Sequence, residues 1–166
     1  ETMFGVIYVV VHPYDARYID FFHGQKIKLE WINGPIEATV IKDGASDPET
    51  GSGAMTITPW HSLVDFEIAE RHNLDKEQII DKHGRLLPIA GEFAGMKIAE
   101  AREKIVERLK EKGLLVKIED VYTHNIATAE RTGAIIEPQI MEQWFVAVNK
   151  PFAIPYSEIP GIKSGS

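Results

Sequence analysis

Residues Ala54–Asn73 read AMTITPWHSLVDFEIAERHN, a short strand, a tight turn and a helix in immediate succession. Ala54–Thr58 resumes an extended run after a glycine-rich stretch, and Pro59, which has no N–H to give a ladder, ends it. Ser62 is a favourable first cap for a helix, and Asn73 is a plausible stop. Between them Leu63, Phe66, Ile68 and Ala69 are expected to form the apolar side of that helix.

Upstream, Val6–Val11 is a continuous β-branched and aromatic run, expected as a buried strand. Lys26–Trp31 alternates, and Asn33-Gly34 precedes Pro35–Ile41, which predicts a hairpin turning at that dipeptide. Asp43–Gly53 is rich in Gly, Ser, Asp and Pro and reads as a loop. Downstream, Ile79–Asp81 and Leu86–Ile89 flank Lys82–Arg85 as a second hairpin. Met96–Lys112 places Ile98, Ala101, Ile105 and Leu109 on one helical face, with Gly113 as its stop. Leu114–Ile118 and Gly133–Glu137 read as further short strands, and the segment from Lys150 onward as a linker or tail. No repeat is present. The sum is an α+β domain, strand-rich, with two helices packed on its outside.

The 166 residues suffice for one domain with a substantial core, and 44% hydrophobic with 26% charged residues is an ordinary globular balance. No stretch is long and apolar enough to span a bilayer, and no basic region precedes Val6–Val11 as in a secretory signal. The chain has no cysteine, which excludes disulfides, thiolate metal sites and cysteine nucleophiles and fits a reducing cytoplasm. The net charge of −7 argues against autonomous nucleic-acid binding, while allowing a domain that receives one end of an RNA held elsewhere.

The densest polar cluster lies in the opening stretch. Thr58, His61, Ser62 and Asp65 converge on a helix start, where backbone N–H groups hold anions or a developing oxyanion. Ser62-x-x-Asp65 is equally a capping-box pattern that satisfies the helix end, and the residues alone leave both readings open. His61, Asp65 and His72 share a helical face, yet three ligands without a metalloprotease-type motif read better as solvated side chains than as a metal site. Gly51-Ser52-Gly53 lacks a nucleophile elbow and is followed by no Walker lysine, so a glycine-lined turn accounts for it better than a serine hydrolase or a phosphate cradle. Trp31, Trp60 and Trp144 read as core or partial core ahead of base-stacking platforms. The charges of the second helix, from Glu100 to Arg108, read as a solvated face.

Taken together, these stretches resemble valyl-tRNA synthetases. Asp47–Pro59 (DPETGSGAMTITP) is similar to that family's D-P-E-F-G-T-G-A-V-K-I-T-P, and His61–Leu74 (HSLVDFEIAERHNL) to H-D-P-x-D-[FY]-E-I-G-x-R-H-x-L. Glu1–Gly5 matches the end of T-T-R-P-E-T-M-L-G-D, and Val10–Pro13 matches A-V-H-P. Ala90–Met96 and Gly113–Lys117 follow in order, and His124–Phe145 resembles the H-x-V-G-x-x-E-R-x-G-x-x-I-E-P-x-x-S-x-Q-W-F exit segment. The likeness runs from about Glu1 to Phe145. The isoleucyl relatives' G-T-G-x-V-H-x-A-P fits less well.

The resemblance implies an editing domain inserted in the Rossmann-type catalytic domain of a class I synthetase, β-barrel-like with peripheral helices. Residues 1–145 would form that domain with its exit segment, and 146–166 a linker toward the catalytic domain. Its implied activity is hydrolysis of threonine misattached to valine tRNA, because a hydrophobic pocket is known to reject isosteric threonine by only about 10² in valine-specific synthetases. Asp65, Thr58 and His61 match the catalytic set, Asp65 as anchor of the substrate α-ammonium. Thr50, Gly53, Thr56 and Ser62 match substrate-contacting positions. No metal and no cofactor is implied for the domain. The implied partners are the 3′ end of valine tRNA and the remaining, ATP-using synthetase, with a cytoplasmic location and a monomeric state.

Three departures from the family pattern fall at positions implicated in pocket or substrate contacts: Thr50 stands for a phenylalanine, Thr56 for a lysine and Ser62 for an aspartate. In the family a T-T-R-P strand, with an arginine near the tRNA end, precedes the residues that Glu1–Gly5 match, so the resemblance implies a pocket that this strand would complete. The alternative is a non-catalytic tRNA-end-binding or structural insertion with a degenerate site.

Overall fold

In a computed structural model, residues 1–5, 7–118 and 127–146 are described. Four strands, β1 (Tyr8–Val11), β2 (Lys26–Trp31), β3 (Gly34–Lys42) and β4 (Ala54–Ile57), form one sheet in the order β2-β3-β1-β4. β1 runs parallel to β3 and antiparallel to β4, while β2 and β3 form an antiparallel hairpin. Among the described residues two α-helices, α1 (Leu63–His72) and α2 (Ile98–Glu111), join two short 3₁₀ segments in completing the regular structure. Among the described residues no helix is long and apolar enough to cross a membrane.

Two cores organise these elements. Tyr8 and Val10 of β1, Ile41 of β3 and Ile57 of β4 pack with Ile68 of α1. Their pairing follows from register, since Tyr8 lies opposite Ile57 and Val10 opposite Met55, so the strands' two-residue period delivers them to one face. The second core joins Ile32, Ile79, Ile80 and Phe93 to Ala101 and Ile105 of α2. Ile68→Ala or Ile105→Ala would remove a fully buried side chain, each at about 2–5 kcal/mol.

The α+β class therefore holds, but the sheet is open. β2 and β4 are its edges, and no ladder joins them among the described residues, so no closed barrel is seen. Among the described residues α-helix and strand take near-equal shares, with strands the more numerous elements. Leu114–Ile118 adds no strand, and Gly133–Glu137 contributes only an isolated bridge between Thr128 and Ile135. An alternating segment without a partner has nowhere to place its backbone hydrogen bonds as a strand. The second hairpin reduces to one bridge, Ile80 to Leu86. Asp81 Oδ1 captures the N–H groups of His83 and Arg85 in a tight turn, and Pro88 opens a 3₁₀ segment, Pro88–Phe93, which cuts the second arm short. The first hairpin does form, with Ile32 and Asn33 as its central residues and Gly34 (φ 119°) opening β3. The turn thus sits one residue earlier than Asn33-Gly34, which lets Ile32 drop into the second core.

The phase of α1 also differs. Its buried face is Asp65, Ile68 and Ala69, and Leu63 is 68% exposed. Of the expected strand Val6–Val11, Val6 lies outside the described residues, as do residues 119–126 and 147–166, hence the start of the exit segment and nearly all of the expected linker.

At its far end α1 is braced to β3. Arg71 grips buried Asp43, just after β3, with Nη2 at 2.9 Å from Oδ1 and Nε at 3.1 Å from Oδ2, and His72 Nε2 lies 2.7 Å from Oδ2. Ala45 N–H adds a fourth contact. Burial alone raises the Asp43 pKa, but Arg71, Ala45 and His72 reverse this and hold it at about 2. Against about 3.9 when unfolded, the folded state prefers the charged form, so the stabilisation is full above the unfolded value and is lost as pH falls toward the folded one. Asp43→Asn is expected to cost about 1–2 kcal/mol at neutral pH, allowing for solvent screening around Arg71. Urea unfolding between about pH 5 and pH 2 should show a shallower acid limb in this variant, and an unchanged limb would refute the brace.

Candidate functional site

β4 ends at Ile57 and α1 begins at Leu63, and the five residues between them form the turn that carries Thr58, His61 and Ser62 of the predicted site. Ser62 is extended (φ −143°, ψ 126°) and its Oγ accepts the Asp65 N–H at 3.3 Å, as a cap should. Asp65 does not complete a reciprocal capping box. Its Oδ2 instead reaches past the cap to the Thr58 backbone N–H at 2.8 Å and lies 3.5 Å from the Thr58 hydroxyl. The carboxylate thus ties the first turn of α1 to the end of β4. Burial raises the Asp65 pKa, opposed by the Thr58 backbone, the Ser62 hydroxyl and the Thr58 hydroxyl. A desolvated carboxylate at this spot gains from any cation that arrives beside it.

His61 faces the other way. Its Nε2 accepts two consecutive backbone N–H groups, Ile79 at 3.0 Å and Ile80 at 3.1 Å. Two donors on Nε2 put the proton on Nδ1, which donates to the Pro138 carbonyl at 3.3 Å. Both nitrogens are engaged with backbone, so the ring holds the turn in place and has no free lone pair for a proton transfer. His72, on the same sequence stripe, is instead bound to Asp43.

The remaining predicted residues lie upstream along β4. Thr56 pairs with Val9 and is half-buried on the face opposite Ile57. Thr50 is exposed at the tip of the preceding loop, its hydroxyl donating to Asp47 Oδ2 at 2.7 Å. Gly53 is in the left-handed region (φ 72°), and a Cβ there would strike the Arg17 guanidinium and the Asp15 carboxylate. Thr50 and Gly53 share a small cleft of about 260 Å³ with Ala45, Asp47 and Met55. The structure therefore gathers Thr58, Ser62 and Asp65 at the turn, connects Thr50 and Gly53 to them through β4, and turns His61 inward.

Other sequence candidates resolve individually. Among the described residues Ser52 Oγ exchanges bonds with the Ala54 backbone, at 3.3 Å each way, and has no histidine partner. Trp31 is half-buried and donates to the Met3 carbonyl at 2.7 Å. Trp60 is half-buried with an unpartnered Nε1, whereas Trp144 is fully exposed, contrary to the expected partial burial. The charges of α2 form the surface pairs Lys104–Glu100 and Arg108–Glu92. A groove of about 480 Å³ runs beside Ser62, between Leu63 and Phe66 of α1 and Met141 and Phe145 of the exit segment.

The residues that sequence reasoning passed over are those that fix the site's neighbours. Asp43 sat in a segment read simply as loop, and Pro138 and Gln139 carried no chemistry of their own. Gln139 nevertheless bonds Gln78 and the Ile80 carbonyl beside the His61 clip. An acidic residue set between an expected strand and a glycine was the available signal for Asp43.

No protein-family model matches the chain. Its curated relatives are aminoacyl-tRNA synthetases. In particular, the chain corresponds to one segment of the valine–tRNA ligases: it is 43% identical over 150 residues, 90% of its length, to that of Streptococcus agalactiae. With the enzyme of Staphylococcus carnosus the identity is 44% over 146 residues, and with that of Streptococcus pyogenes 41% over 150. The chain spans about 16% of the length of the first of these relatives.

The His61 clip is testable through stability. His61→Ala strands two buried N–H groups and is expected to cost about 3 kcal/mol, while His61→Gln, which keeps an acceptor, should lose less. Burial lowers the His61 pKa, the Pro138 carbonyl opposing it. The unfolded chain therefore takes the proton first, so stability is full above about pH 6.5 and falls as pH drops through the folded value. Denaturant titrations should show that acid-side loss in the parent and not in His61→Gln; parallel profiles would exclude the assignment.

Proposed function

We propose that this chain is the editing domain of a valine–tRNA ligase and hydrolyses the ester of threonine misattached to valine tRNA. The observation that carries this reading is the buried Asp65 carboxylate at the β4–α1 turn, in a segment homologous to valine–tRNA ligases. Asp65 Oδ2 is held by Thr58. Oδ1 would take the α-ammonium of the aminoacyl group, which would repay the desolvation that now raises the carboxyl's pKa. That ion pair would place the ester carbonyl near the amides that open α1, where developing negative charge is favoured.

The ester is already activated, so a positioned water suffices. Water attacks the acyl carbon, the bond from that carbon to the ribose oxygen breaks, and a proton returns to the ribose oxygen. Threonine and a free tRNA 3′ end result. Thr58 and Ser62 lie near the threonine side chain in this reading, Thr50, Gly53 and Thr56 form the wall along β4, and His61 positions the turn. The remainder of the ligase would supply ATP-dependent charging and hold the tRNA body, since the chain's charge of −7 favours no RNA surface of its own. In such a protein, further strands on the open edges of β2 and β4 would give the barrel-like closure, and the setting would be cytoplasmic.

One observation favours a second reading, a non-catalytic tRNA-end-binding or structural insertion. Ser62 and Asp65 already account for themselves as cap and tie, and Thr56 brings no charge to the wall. Asp65→Asn separates the two. The amide oxygen retains the bond from Thr58 N–H and preserves the fold, but it cannot pair with an ammonium. Deacylation of threonyl-tRNA for valine, with valyl-tRNA as control, is expected to fall at least about a hundredfold in Asp65→Asn with little change in melting temperature. A full-length ligase containing this chain that binds tRNA yet releases threonine no faster than buffer would establish the non-catalytic reading.

A further inference from the structure

The loop that carries Thr50 is held from outside by a single turn of 3₁₀ helix, Ala16–Tyr18, that lies far from it in sequence. Asp15 caps that turn and is itself buried. Arg17 Nε lies 2.9 Å from Asp15 Oδ1 and Nη2 2.6 Å from Oδ2, so the guanidinium is aimed by its neighbour. The same Nη2 donates to the Pro48 carbonyl at 2.7 Å. The next residue, Tyr18, donates its hydroxyl to the Ser52 carbonyl at 2.8 Å. Pro48 and Ser52 are the two shoulders of the exposed tip Glu49-Thr50-Gly51.

Three further contacts make this a closed arrangement. Lys42 Nζ, at the end of β3, donates to the Tyr18 carbonyl at 2.6 Å and anchors the 3₁₀ turn to the sheet. Buried Ser46 donates to the Gly53 carbonyl at 2.8 Å. Gly53 lies so close to Arg17 that no side chain fits between them. Neither Arg17 nor Tyr18 lines the cleft beside Thr50 and Gly53, so both act on it through the loop.

We propose that Arg17 and Tyr18 are positioning residues that clamp the shoulders of the 48–52 loop and thereby set the wall of the cleft against which the threonyl side chain is recognised. This rests on the deacylase reading above. A surface loop with an exposed polar tip samples many conformations, and ordering it on binding costs affinity. Clamping both carbonyls in advance removes that cost before substrate arrives.

The test uses Arg17→Lys, which keeps the charge and loses the fork, and Tyr18→Phe, which loses one hydroxyl. Three readouts are compared with the parent: amide exchange at residues 49–53, the Kd of a non-hydrolysable threonylamide of 3′-amino-3′-deoxyadenosine, and the kcat and KM of threonyl-tRNA deacylation. Exchange is expected to quicken at 49–53 and to hold in β1 and β3. Kd and KM should rise roughly tenfold in Arg17→Lys and about threefold in Tyr18→Phe, with kcat within about twofold of the parent. A looser loop with unchanged Kd and KM would overturn the proposal, leaving Arg17 a purely structural residue, and so would unchanged exchange. If the parent binds the threonylamide but hydrolyses nothing, the deacylase reading falls and the Kd ratios alone decide the clamp. If the parent does not bind the threonylamide, both fall.

Discussion

Two consecutive N–H groups, those of Ile79 and Ile80, meet one imidazole nitrogen, and this contact joins the two halves of the molecule. His61 belongs to the turn that leaves β4, beside the core of Tyr8, Val10 and Ile68. Ile79 and Ile80 belong to the core built on α2. Neither isoleucine can be buried unless its N–H is satisfied, and at this point the chain is not in a regular strand that would do so. A neutral histidine with its second nitrogen on the Pro138 carbonyl supplies both bonds and fastens the exit segment as well. The position of Asp65, four residues further on, is inherited from that fastening. The turn is pinned at His61, the cap at Ser62 sets where the helix begins, and the helix phase then carries Asp65 inward beside Thr58.

The same atoms therefore serve stability and the proposed chemistry. A carboxylate that only capped a helix would gain by remaining exposed, where water solvates its free oxygen. Asp65 is 9% exposed and its pKa is pushed up by burial, so the fold bears a cost there that Thr58 and Ser62 only partly offset. Asp43 makes the contrast. It is just as buried, but its fork with Arg71 and its contact with His72 bring its pKa down to about 2, and nothing about it invites a further cation. Of the two acids bound to α1, one is saturated and the other is not. That difference is why Asp43 reads as a brace and Asp65 as the candidate site.

Legibility in the sequence followed the range of the interactions. The strand–turn–helix of residues 54–73 was readable because its determinants are local: Pro59 stops a ladder, Ser62 caps, and Asn73 adopts the left-handed conformation (φ 51°) that ends the helix. Alpha-helix α2 was readable for the same reason, with Ala101 and Ile105 on its inner face and Gly113 (φ 66°) beyond its end. Segments judged by alternation alone failed. Leu114–Ile118 alternates as well as β2 does, but β2 has β3 beside it, and a strand exists only through its partner. Leu63 misled because side-chain polarity suggested the inner face, whereas the bond from Thr58 to Asp65 fixes the helix phase. The cluster of Thr58, Ser62 and Asp65 was legible as a cluster. The inward turn of His61 was not, because its partners at Ile79, Ile80 and Pro138 are backbone groups, which no sequence distinguishes.

The loop before β4 shows what that distinction means for function. Its internal bonds, from the Glu49 N–H and the Thr50 hydroxyl to the Asp47 carboxylate, are short-range and shape the tip without tying it to the sheet. Its orientation relative to the sheet comes from Arg17 and Tyr18, about thirty residues away in sequence. Local bonds give such a loop a shape, and distant ones give it a direction. Under the proposed function, a pocket that separates threonine from valine by one hydroxyl needs direction, since a displaced wall leaves that hydroxyl unpaired and forfeits the discrimination. Gly53 fits this division of labour: the left-handed turn is its local role, and the absence of a Cβ is what lets Arg17 reach the Pro48 carbonyl. Glycine at that position thus serves the loop's shape and its direction at once, and substitution there would disturb both.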